Sequence, residues 1–99
     1  MSLNPLKIYE KLDPELLKTI EKSFELTFAE GKLPRKIKLL IAMALDASHG
    51  AIPGVKSLAA AAKQAGATKD EILEAIRVAI YISGIGCAYV ASHALNEMF

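Results

Sequence analysis

Apolar residues recur three and four positions apart along most of this chain, the period of helices that bury one face. Leu16, Leu17, Ile20, Phe24 and Phe28 mark the first long run, with Lys18, Glu21, Lys22 and Glu25 between them. Asp13-Pro14-Glu15 supplies a start signal, a capping side chain followed by proline at the first helical position, and Gly31 supplies a stop. Asn4-Pro5 is a weaker start of the same kind. A second run begins at Pro34, keeps Arg35, Lys36 and Lys38 near its entry, and traces one face through Ile37, Leu40, Ile41, Ala44, Leu45 and Ser48 before Gly50 ends it. Pro53 restarts a helix whose inner face is Val55, Leu58, Ala59, Ala62 and Ala65, closed by Gly66. Thr68-Lys69-Asp70-Glu71 is a capping box, and behind it Ile72, Ala75, Ile76, Ala79 and Ile80 face inward. Gly84 and Gly86 bend the chain before a last helix, roughly Cys87 to Glu97. Apolar residues surround nearly all of that helix, so it is expected to be buried on most sides. No stretch alternates as a strand would. The chain is predicted to be all-α, with about five to six helices and a central helical hairpin over Leu33–Gly66 linked at Ser48–Pro53.

Composition changes this picture in one respect. The chain has 99 residues, the length of a single domain (1–99), and is 53% hydrophobic but only 6% aromatic, without tryptophan. Mean hydropathy is +0.30. Small aliphatic residues carry that apolar content, more than one small core can hide, so a second surface buried between identical subunits is expected. The bland alternative is a monomer tightly packed with alanine.

Charge and cysteine content exclude some classes. A net charge of +1 with no basic stripe argues against nucleic-acid binding. Cys87 is the only cysteine, which leaves no intrachain disulfide and fits a cytoplasmic protein. No basic region followed by an apolar run suggests a signal peptide. Val78 to Asn96 lacks charged residues and is long enough to span a membrane. Gly84-Ile85-Gly86 interrupts it, however, and no aromatic belt or basic flank frames it, so two helices with a bend are expected and no membrane association.

Candidate chemistry is sparse. Asp46 and His49 lie three apart at the end of the second helix and can share a face, where the carboxylate would orient the imidazole as an acid/base pair. A carboxylate near a helix C-terminus opposes the macrodipole, which fits either a functional role or an ion pair with Arg35, Lys36 or a neighbouring subunit. A helix-end histidine capping carbonyls beside a surface aspartate is the plainer reading. Lys56, one turn past the link, either binds an anionic group or is an exposed lysine. Cys87 is either a sensing thiol whose pKa the nearby helix start lowers, or a small buried hydrophobe. His93 sits among Ala and Ser as a packed histidine or a binding residue. No spacing resembles a metal-ligand set, Gly84-x-Gly86 is no dinucleotide fingerprint, and no cofactor is implied.

Leu33-Pro34-Arg35-Lys36, then Ala65-Gly66-Ala67-Thr68-Lys69-Asp70-Glu71-Ile72, then Ala79-Ile80-Tyr81 leading to Gly84, resemble the carboxymuconolactone decarboxylase family, which includes the alkyl hydroperoxidase D-like proteins. Ser92-His93-Ala94-Leu95 and Met98-Phe99 resemble its decarboxylase branch; the likeness covers about residues 30 to 99. It implies an all-helical subunit assembled as a trimer or hexamer, with peroxiredoxin-type antioxidant or lactone decarboxylase chemistry. In the peroxidase branch the helical link carries Cys-x-x-Cys, then a histidine, with a glutamate one helix earlier. Those positions correspond here to Ala51, Gly54 and Leu58, with the glutamate position near Leu39. Peroxide reduction by that route needs a thiolate to attack oxygen and a second thiol to resolve the sulfenic acid, so dithiol peroxidase activity is expected to be lost. The decarboxylase branch also resembles the peroxidase branch in having the histidine that Leu58 replaces.

Two functions remain. One is an enzyme using Asp46 and His49 as catalytic residues on a small acidic or carbonyl compound, with Lys56, Leu58, Cys87 and His93 lining the substrate. The other is a non-catalytic oligomeric binding or scaffold protein. The enzyme requires a concave pocket beside His49, bounded by Leu58 and a neighbouring subunit. The scaffold leaves that corner filled, with His49 facing solvent or capping a helix.

Overall fold

The structure, a computed structural model, describes residues 5–99, and the Asn4 capping signal lies outside them. Pro5–Ile8 form a 3-10 turn leading into α1, Tyr9–Leu12. Asp13 then leaves the helical region, and its carboxylate accepts a hydrogen bond from the Leu16 amide at 3.0 Å, which starts α2, Pro14–Phe28. Gly31 is not the stop. Ala29 already turns extended, and the Lys38 ammonium donates to its carbonyl at 2.7 Å across the reversal.

The predicted hairpin is present. α3, Arg35–Ser48, and α4, Ile52–Gln64, pack against each other more extensively than any other pair of helices. Pro34 caps α3 from outside rather than opening it. α5 spans Lys69–Ser83 behind the expected capping box: the Glu71 amide donates to the Thr68 hydroxyl at 3.1 Å, and the Glu71 carboxylate accepts from the Thr68 amide at 2.8 Å. That carboxylate also takes the Lys36 ammonium at 3.0 Å, tying the start of α3 to the start of α5. Gly84, at φ 97°, ends α5 in a conformation a side chain would disfavour, and α6 runs Gly86–Leu95. Six α-helices and no strand occur among the described residues. None of these helices is long and apolar enough to cross a membrane, because Gly84 divides the uncharged run.

Met43, Val55, Ala59, Ala62 and Ile72 are fully buried where α3, α4 and α5 meet, and α6 adds Cys87, Ala91, Ala94 and Leu95. Burying a large aliphatic side chain contributes about 1.5–3 kcal/mol. Only Leu39, Met43, Ile72 and Val55 combine that size with full burial, so the core is thin.

Three expectations about faces need correction. On α3 the buried positions are Leu39, Leu40, Met43 and Ala47, while Ile41 is 47% and Leu45 55% exposed. α3 touches α4, α5 and α6 at once, and the buried arc turns to meet all three. At the end of α4, Ala65 is exposed and Ala67 beyond the turn is buried. α6 is not buried on most sides within this chain, since Tyr89 stands 67% exposed.

Candidate functional site

The link between α3 and α4 is built on Asp46. Its carbonyl accepts the His49 amide at 3.2 Å and the Ala51 amide at 2.9 Å, which closes α3 and turns the chain toward α4. Ser48 reinforces the turn by donating its hydroxyl to the Leu45 carbonyl at 2.6 Å. The half-buried Asp46 side chain points across to the first turn of α4 and lies against the Cα of Gly54. A Cβ at residue 54 would overlap the Asp46 carboxylate oxygen and lie 2.9 Å from its Cγ. This placement answers the macrodipole objection. The charge sits at the C-terminus of α3 in sequence, but in space it faces the positive N-terminal turn of α4.

Asp46 and His49 do not form the expected pair. His49 is exposed, its backbone amide caps α3, and neither side chain makes a hydrogen bond or ion pair among the described residues. Nor does Asp46 pair with Arg35 or Lys36, the latter being held by Glu71. Lys56 is exposed and its ammonium binds the Glu97 carboxylate at 2.8 Å, which pulls Glu97 below the ordinary glutamate range through that hydrogen bond and charge.

Leu58 packs half-buried against the core, Leu39 is fully enclosed, and Ala51 is the residue preceding α4. Ala51, Gly54 and Leu58, the positions that the resemblance relates to a thiol centre, carry no sulfur, and the volume over Gly54 belongs to the Asp46 carboxylate. Cys87 opens α6 but is 4% exposed, and burial pushes its thiol up, opposite to the lowering expected from the helix start. Desolvation of a thiolate outweighs the helix end there. His93 is exposed beside Ser92 and Asn96 along a shallow recess, and is not packed inside the last helix.

Among the described residues no three His, Cys, Asp or Glu side chains gather as metal ligands would. Neither Asp46, His49, Lys56, Leu58 nor Cys87 borders any of the five best-formed grooves among the described residues. One groove of about 360 Å³ runs between α5 and α6, from Lys69 and Phe99 to Ile80 and Ala88. Sequence reasoning passed over it, although Lys69, Leu73, Ile76 and Ile80 share one helical stripe. It also missed the Lys36–Glu71 bridge, whose partners stand 35 residues apart.

The corner thus presents one carboxylate, that of Asp46, and no sulfur, the single cysteine lying at the start of α6. Residues 14–97 match the carboxymuconolactone decarboxylase family, a span that takes in α2 as well as the motifs from residue 30 onward. No curated protein matches the chain. In structure it is similar to a carboxymuconolactone decarboxylase family protein from Legionella pneumophila, solved in its apo form: 28% identity and a TM-score of 0.84 over 91% of this chain and 80% of that one. With that match over most of its length, the chain belongs to the carboxymuconolactone decarboxylase family.

Proposed function

We propose that this protein is a homo-oligomeric member of the family that has lost dithiol peroxide reduction and serves as a non-catalytic binding or scaffold protein. One observation carries this reading: the Asp46 carboxylate fills the space over Gly54, where a side chain would otherwise project, and Ala51 and Leu58 offer no replacement chemistry. The filled corner and the exposed, helix-capping His49 are what a scaffold requires. The lone thiol, buried and pushed up, fits a reducing cytoplasmic setting without a redox role. A peroxide assay coupled to dihydrolipoamide is expected to show no turnover above buffer, and Cys87→Ser no change in it. Turnover that Cys87→Ser abolishes would refute the loss of thiol chemistry.

A second reading rests on Asp46 itself. Its half-buried carboxylate has no hydrogen-bond partner among the described residues, so it is available to take a proton from a small carbonyl compound at a corner completed by a neighbouring subunit. A ligand screen by thermal melting separates the two. Stabilisation of the wild type by a carbonyl compound, lost in Asp46→Asn and His49→Ala proteins of unchanged melting temperature, establishes an active site. No difference among the three proteins supports the scaffold.

A further inference from the structure

We infer that the groove between α5 and α6 binds a medium-chain fatty acid, a straight monocarboxylate of about eight to ten carbons, head-first at Lys69. The groove holds about 360 Å³, and its floor is apolar: Ile76 and Ile80 from α5 face Ala88 and Ala91 from α6. The small residues opposite the large ones leave the slot open. Eleven residues of helix separate Lys69 from Ile80, about 16 Å at the helical rise, which accommodates such a chain extended.

Charge fixes the direction and the kind of ligand. Lys69 is the one charged side chain lining the groove, and it stands at its end. Its ammonium lies 5.9 Å from the Phe99 ring centre, and that of Lys63 lies 5.3 Å from the same ring. Neither lysine has a carboxylate partner among the described residues, whereas Lys36 and Lys56 both do. Asn96 borders the same end with an amide that makes no hydrogen bond among those residues. The Lys69 ammonium and the Asn96 amide at the end of an apolar groove, with Lys63 outside the lining but over the same Phe99 ring, complement one carboxylate and one hydrocarbon tail. The groove is separate from the α3–α4 corner and does not depend on the function proposed there.

Calorimetric titration with decanoate, below its micelle concentration, tests the assignment. Decanoate is expected to bind with at least tenfold higher affinity than decanol, which has the tail without the charge. Affinity should rise about twofold per added methylene from hexanoate to decanoate, as for a half-buried tail. Lys69→Gln should lower affinity five- to tenfold while Lys69→Arg stays within twofold, and Ala88→Leu should abolish binding by filling the slot. If Ala88→Leu fails to melt cooperatively, the Lys69 pair and the chain-length series decide. Equal binding of decanol, no dependence on chain length, or no decanoate binding by the wild type (as when a second copy or another partner seals the groove) would overturn the assignment.

Discussion

Gly54 and Asp46 occupy each other's space, and the consequence has a sign that can be measured. In the wild type, Gly54→Ala must push the Asp46 carboxylate aside, so about 1–2 kcal/mol of stability should be lost. Once Asp46 is alanine the same change meets no obstacle and should stabilise the helix by about 0.5–1 kcal/mol. Denaturant melts of the four proteins of this cycle check it, and a Gly54→Ala effect of equal sign in both backgrounds refutes the packing described. Glu71 gives a pH prediction. Its carboxyl is held below the ordinary glutamate range, first by the Thr68 amide and then by Lys36. A carboxylate whose folded pKa is lowered stabilises the fold above the unfolded value and loses that effect as pH falls through the folded one. The melting-temperature advantage of wild type over Glu71→Gln should therefore hold at pH 7 and shrink below about pH 4.3. An advantage that stays constant to pH 2.5 would rule this out.

At the scale of elements, local signals were legible and facing was not. The capping box at Thr68, the Asp13 start and the link at Ser48–Pro53 are visible because each is settled within a few residues. Which stripe of α3 turns inward is not settled locally. Its apolar residues span two stripes, and only the joint packing of α4, α5 and α6 selects Leu39, Met43 and Ala47 over Ile41 and Leu45. The corner was half legible for the same reason: the three-residue spacing of Asp46 and His49 was readable, but the turn that sends one side chain to Gly54 and the other to solvent was not. α2 is the extreme case. It is amphipathic over Pro14–Phe28, yet none of its residues is buried, with Phe24 51% and Leu26 81% exposed. A fifteen-residue helix is marginal by itself in water. Its Phe24–Phe28 ring contact and slight packing on α3 add little. Amide protection in α2 should accordingly rise with protein concentration in hydrogen exchange, while that in α3 and α4 stays high throughout. Strong protection of α2 at the lowest concentration would show that the chain stabilises it unaided.

For the whole molecule, size and surface disagree. A compact monomer of 10.6 kDa is expected to expose about 5,500 Å², and this chain exposes 7213 Å². Its Cα radius of gyration is 14.3 Å, against about 12.6 Å for a compact domain of this length. The excess of roughly 1,700 Å² is about twice what one partner contributes to a standard interface. It is also apolar: among the described residues, more large hydrophobic side chains are exposed than buried. They concentrate on α2 and around the α5–α6 bend, where Val78, Tyr81, Ile82, Ile85 and Tyr89 are each at least 65% exposed with no charged residue from Val78 to Asn96. An interface of three or six copies, as the family resemblance implies, would cover such surfaces and complete the α3–α4 corner from outside. A charge placed in the bend patch should therefore prevent assembly with little harm to the subunit, since Ile82 is 77% exposed. Ile82→Glu is expected to shift the sedimentation mass from a multimer toward a monomer at tens of micromolar, with helical circular dichroism unchanged at low temperature and a lower melting temperature. A wild type that sediments as a monomer under those conditions, or an Ile82→Glu protein that assembles equally well, would mean that the exposed apolar surface is left to water and that no neighbour completes the corner.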